Sequence, residues 1–213
     1  TTLRGRFLTS TSGKQMNFKE YIPLAMRTCK SLPFTDHINH MGLGIVGEMG
    51  EIVDALKKSH IYGKQLDQVN IVEEVGDVAY YVAGVVQFYP NLYNLIGSDE
   101  LKNSIKYEKL AEAKSKITRT ILMNTMSAAN LVVDMGIMAD ETGGPSDEGE
   151  KVAKTLCMFL FATAVLLDAD LAEAFEVNIA KLAKRYGDKY SDYAAVNRDT
   201  DAERAVLEAG TKA

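Results

Sequence analysis

The chain has 213 residues, 46% of them hydrophobic, which is enough for one sizeable domain with a buried core. A net charge of −5 and a pI near 5.3 leave no surplus of cations for a phosphate backbone or an anionic bilayer, which argues against nucleic acid and membrane surfaces as partners. Cys29 and Cys157 make neither a disulfide framework nor a metal-ligand spacing, and the longest apolar run, LCMFLFATAVLL at 156–167, is too short to cross a bilayer, so a cytoplasmic location is expected.

Residues 1–16, TTLRGRFLTSTSGKQM, are polar and irregular and read as a loose arm. Beyond them apolar residues recur every three or four positions in segments rich in Ala, Leu, Met, Glu and Lys, and strand-like alternation is absent over any useful length. This predicts an all-α fold with helices over 17–30, 36–59, 69–88, 101–140 (with room for a break), 150–167, 170–186 and 199–209. Pro33, HIYGKQLDQ, YPNLYNLIGSD and TGGPSDEG supply the breaks. Short loops between long helices predict an antiparallel bundle, read as a single domain over 1–213. The Met-rich stretch 121–138 is assigned to its core.

Sliding the chain by 80 residues lays EIVDALKKSHIYG over LVVDMGIMADETG, and VEEVGDVAYYVAGVV over VAKTLCMFLFATAVL. Few positions are identical, so a duplication and a chance match of two amphipathic hairpins both stay open. In this alignment Glu48, Glu51, Glu74 and Asp77 fall on Ala128, Leu131, Lys154 and Cys157.

Those four acids are unusual for where they face. With Glu48 at zero on a helix advancing about 100° per residue, Met41 lies at about 20°, Ile52 at about 40° and Ala55 at about −20°. Glu48 is thus central on the apolar stripe, with Glu51 at its edge. Around Glu74, Val85 lies at about 20°, Val78 at about 40° and Tyr81 at about −20°, with Asp77 flanking at about −60°. A solvated face is the ordinary reading of E-x-x-E, but unpaired carboxylates turned inward are costly. Four converging acids call for a cation, and an all-oxygen set suits Mg²⁺ or Mn²⁺. Asn178, Lys181 and Arg185 lie within about 60° of one another beside Leu171, Phe175 and Leu182, which favours contact with an anion. Glu73 is expected at the surface and His60 in a loop. His37 and His40 are expected as partly buried or surface residues, with approach to a nucleobase the less favoured alternative.

GLGIVGEMGEIVDALKK, the loop HIYGKQLD and IVEEVGDVAYYVAG together resemble the MazG-like branch of the all-α nucleoside triphosphate pyrophosphohydrolases, whose signature is E-x-x-E followed on the next helix by E-x-x-D. The likeness extends to FKEYIPLAMRT, EVNIAKLAKRYGDKYS and VNR. It implies a Mg²⁺ site at Glu48, Glu51, Glu74 and Asp77, with Mn²⁺ as substitute. It also implies a triphosphate held by Asn178, Lys181 and Arg185. Tyr186 is read as a helix-end core residue, with base stacking or a phosphate contact as the alternative. The expected reaction takes a nucleoside triphosphate to the monophosphate and pyrophosphate, with Glu51, at the stripe's edge, as general base. The alternatives are a dUTP- or dUDP-specific hydrolase of the same superfamily and a non-catalytic bundle that binds divalent metal. Unlike short members of that family, this chain separates Asp77 from Asn178 by about a hundred residues. The helical segment 90–160 reads as an insertion or degenerate second half-bundle. A homo-oligomer, a dimer or a dimer of dimers, is expected.

Overall fold

The structure, a computed structural model, describes residues 15–98, 101 and 112–211. The expected arm, up to residue 14, and most of 99–111, including the start of the fourth expected helix, lie outside the described residues. Among the described residues every regular element is helical. The helices are α1 (Phe18–Met26), α2 (Phe34–Tyr62), α3 (Gln68–Val86), α4 (Ile117–Thr142), α5 (Asp147–Leu166), α6 (Leu171–Tyr186), α7 (Asp192–Val196) and α8 (Thr200–Gly210), with a 3₁₀ turn at Pro90–Leu92. The all-α bundle expected from the sequence is the observed architecture.

Polar side chains start most of these helices by accepting from backbone amides that have no intrahelical partner: Asp67 from Asn70, Ser146 from Gly149, and Asp170 from both Ala172 and Glu173. Helices α2 and α4 each stop on a left-handed glycine, Gly63 at φ 66° and Gly143 at φ 64°. No breaker precedes Gly63, so α2 runs three residues past its expected end, and His60 lies exposed in its last turn rather than in a loop.

Helix α2 packs along α3 and α4; α3 packs along α1, α5 and α6; and α6 carries α8. The 80-residue offset reappears here in three dimensions: α2 ends at Tyr62 and α4 at Thr142, while α3 ends at Val86 and α5 at Leu166. Helices at that offset pack on each other, α2 on α4 and α3 on α5.

The core centres on α2 and α3, where Met41, Ile45, Ile52, Ile71, Val75 and Ala79 are fully buried. Apolar side chains of the larger kind contribute about 1.5–3 kcal/mol each on such burial. Tyr21 stacks on Phe175 with centroids 4.6 Å apart, fixing α1 to α6. The Met-rich stretch is less central than expected. Ile121, Ala128, Met135, Gly136 and Ala139 are buried, but Met123, Met126, Val133 and Ile137 are exposed, because α2 and α5 cover only part of α4. By length and composition α4 is apolar enough to cross a membrane, although polar residues interrupt its apolar runs.

Candidate functional site

Two close approaches bring the site's helices together. Gly44 of α2 leaves room for the Tyr81 ring, since a Cβ there would sit 2.2 Å from it. On α3, a Cβ at Gly76 would lie 2.9 Å from the Ala174 carbonyl oxygen of α6 and 3.1 Å from Asn178 Cβ. Without side chains at these positions, α2, α3 and α6 meet around one polar space.

Glu48 of α2 and Glu74 and Asp77 of α3 each bring a carboxylate oxygen to within 4.8 Å of the others. Glu74 is 9% exposed. Burial first, then the charges of Asp77, Glu48 and Glu73, push its carboxyl up to about 9. Burial and Asp77 also raise the Glu48 carboxyl. A proton retained on Glu74 lowers the repulsion among the three acids. Glu51 lines the same cavity but is exposed and lies outside this three-acid group.

Asn178 and Lys181 face inward as expected, but they stand behind the acids and do not line the cavity. Asn178, 2% exposed, donates to Asp77 Oδ1 at 2.7 Å and accepts from the Tyr21 hydroxyl at 2.7 Å. Lys181, 1% exposed, pairs with Asp77 Oδ2 and with Glu73 Oε1 at 3.1 Å. Burial disfavours the Lys181 charge, yet Asp77 and Glu73 outweigh it and hold the ammonium above its ordinary value. Glu73 is therefore not the surface residue expected from the sequence. It lines the cavity and shares Lys181.

The acids line a cavity of about 440 Å³. Three cations, Lys30, Arg185 and Arg198, line it as well. Tyr80, Tyr81, Tyr186 and Tyr190 add aromatic surface, with Tyr186 and Tyr190 rings 5.5 Å apart. Tyr186, half-buried against the edge of the core, lines the cavity as well. Arg185 binds Glu203 through both Nε, at 2.8 Å to Oε1, and Nη2, at 2.6 Å to Oε2. Arg198 Nη2 donates to Glu203 Oε2 at 2.8 Å. Burial alone would raise Glu203, but the two guanidiniums hold it down at about 2. His40 lines the cavity edge-on to Tyr81, its Nδ1 buried without a hydrogen-bond partner among the described residues; burial, His37 and Lys30 lower its basicity. His37 is buried instead, its Nε2 2.9 Å from the Gly84 carbonyl oxygen.

Sequence reasoning missed Lys30, Tyr190 and Glu203 and gave Arg198 no role of its own. Lys30 and Arg198 are single loop cations with no periodicity to expose them. Glu203 was detectable, because Leu207 follows it at one-turn spacing and both are buried, the same signal that singles out Glu48.

The donor set fits a hard divalent cation: three converging carboxylates, no sulfur or imidazole among them, and their fixed ammonium, Lys181, bound to Asp77 and Glu73 with no bond to Glu48 or Glu74. Compared with known protein families, curated proteins and solved structures, the chain has no match.

Proposed function

We propose that the protein is a Mg²⁺-dependent nucleoside triphosphate pyrophosphohydrolase, with Mn²⁺ able to substitute, that releases a nucleoside monophosphate and pyrophosphate. One observation carries this reading: acids that fit a divalent cation, cations that fit phosphate and a set of tyrosine rings all line a single cavity. A bundle that only stores metal has no use for Lys30, Arg185 and Arg198 in the same cavity as its acids.

Glu48, Glu74 and Asp77 would hold the cation, which when bound neutralises phosphate oxygens and makes water a better nucleophile at neutral pH. Asn178 and Lys181 fix the rotamer and charge of Asp77 from behind, so the acid is set before substrate arrives. Arg185, Arg198 and Lys30 neutralise the polyphosphate. The tyrosines offer a stacking surface to the base. Glu51, exposed at the cavity, accepts the proton as water oxygen bonds to the α-phosphorus and the α–β bridging oxygen departs with pyrophosphate.

The test is a panel of ribo- and deoxynucleoside triphosphates, with dUTP and dUDP included, incubated with protein and Mg²⁺ while products are separated. Monophosphate and pyrophosphate in equal amounts are expected. Turnover confined to dUTP and dUDP would select the narrower specificity. No monophosphate from any nucleotide, or release of orthophosphate alone, would overturn the proposal.

A further inference from the structure

Glu203 stands apart from the other acids of the site. It is 3% exposed, comes from α8, and touches none of the three converging carboxylates. Its partners are two arginines that both line the cavity: Arg185 near the end of α6 and Arg198 in the turn between α7 and α8. Two guanidiniums so close repel one another, and each is carried on a long side chain with many rotamers. A bidentate carboxylate removes both difficulties, holding the planar groups in fixed orientation while leaving the trio with a net positive charge.

A purely structural staple for α8 does not need this arrangement. Leu207, 1% exposed, already anchors the helix in the core, and Arg204 ties it to Asp67 at the start of α3 at 2.9 Å. Neither contact involves the cavity. The second arginine, whose side chain stays 43% exposed, comes from the turn before α8 and not from α6, the helix on which α8 packs.

We infer that Glu203 is a positioning residue: it presents Arg185 and Arg198 side by side on the cavity wall as a preformed guanidinium pair for polyphosphate oxygens. This rests on the proposed function for the polyphosphate, and on the geometry alone for the pairing of the two arginines. The inference predicts an effect of unusual sign. Removing an acid from an anion site should tighten binding if charge alone decides, whereas loss of the positioning residue lets the arginines separate and weakens it.

The experiment compares wild type with Glu203→Ala, Glu203→Gln and Leu207→Ala, the last as a control that loosens α8 without touching the arginines. Thermal melts choose a temperature at which all four are folded. Two quantities are then measured in Mg²⁺: calorimetric affinity for inorganic tripolyphosphate, and kcat and KM for whichever nucleotide is turned over. Glu203→Ala is expected to bind tripolyphosphate about tenfold more weakly and to raise KM more than it lowers kcat. Glu203→Gln, which keeps one acceptor oxygen, should fall between it and wild type, and Leu207→Ala should stay within about twofold of wild type. Unchanged or tighter binding in Glu203→Ala, or an equal loss in Leu207→Ala, overturns the inference. Wild type that binds tripolyphosphate but hydrolyses no nucleotide overturns the proposed function and leaves this inference to be decided by the binding series. Wild type that does neither overturns both.

Discussion

Hairpin α2–α3 and hairpin α4–α5 end in the same register, each with a left-handed glycine closing its first helix. Where the first carries Glu48, Glu51, Glu74 and Asp77, the second carries Ala128, Leu131, Lys154 and Cys157. Ala128 and Cys157 are as deeply buried as core residues anywhere in the chain, so these positions face inward in both hairpins. In the second, that inward face is filled by packing atoms. Burial pushes the Cys157 thiol up to about 12, leaving it un-ionised and inert at neutral pH. Helix geometry thus decides that a position points inside, and the side chain decides whether inside means core or site.

The largest effect that would break or sharpen this contrast is on turnover. Glu74→Gln should lower monophosphate release by about a thousandfold, while the corresponding Lys154→Gln changes it by less than about twofold. Comparable losses in both variants would mean that the acids serve only the packing.

A smaller effect is expected in the stability of metal-free protein. Because the folded state raises Glu74 from an ordinary 4.5 to about 9, its neutral carboxyl contributes full stability below pH 4.5, and that contribution is lost as pH rises towards 9. The melting temperature should therefore fall as pH rises through this window. Mg²⁺ should reverse the fall, and Glu74→Gln should flatten it. Glu203 behaves oppositely: held at about 2, it stabilises fully above 4.5 and loses effect only as pH falls towards 2, so it does not mask the Glu74 trend. A pH-independent melt across the upper window would remove the basis for a charge-frustrated cluster.

The smallest effect tests the likeness of the two hairpins. No atom lies within 4 Å of a Cβ built at Gly63 or Gly143, so alanine at either site meets only the backbone cost of the left-handed conformation, about 1 kcal/mol. Urea melts of the two variants should give equal losses. A marked inequality would show that the two turns are not equivalent.

Much of this was legible from periodicity. The inward direction of Glu48, Glu74, Asp77, Asn178, Lys181 and Arg185 follows from apolar neighbours three and four residues away, and the long helices from caps and glycines. What periodicity gives is a direction, never a partner. It could not say that Asn178 and Lys181 would meet Asp77, about a hundred residues earlier, before reaching any cavity. Nor could it find α7, whose five residues are too few to show a period, or Lys30 and Tyr190, which reach the site from loops. The Met-rich stretch misled because apolar composition does not reveal how much of a helix its neighbours cover.

The bonds behind Asp77 also impose an order on biosynthesis. Its amide and ammonium partners are translated 101 and 104 residues after it, and the Tyr21 hydroxyl waits 157 residues for Asn178. A nascent chain that has emerged from the ribosome only as far as α5 already holds every acid of the cluster, but not the groups that orient them. Maturation of the centre is therefore deferred until α6 has been made, and products terminated before α6 carry the ligands without their alignment.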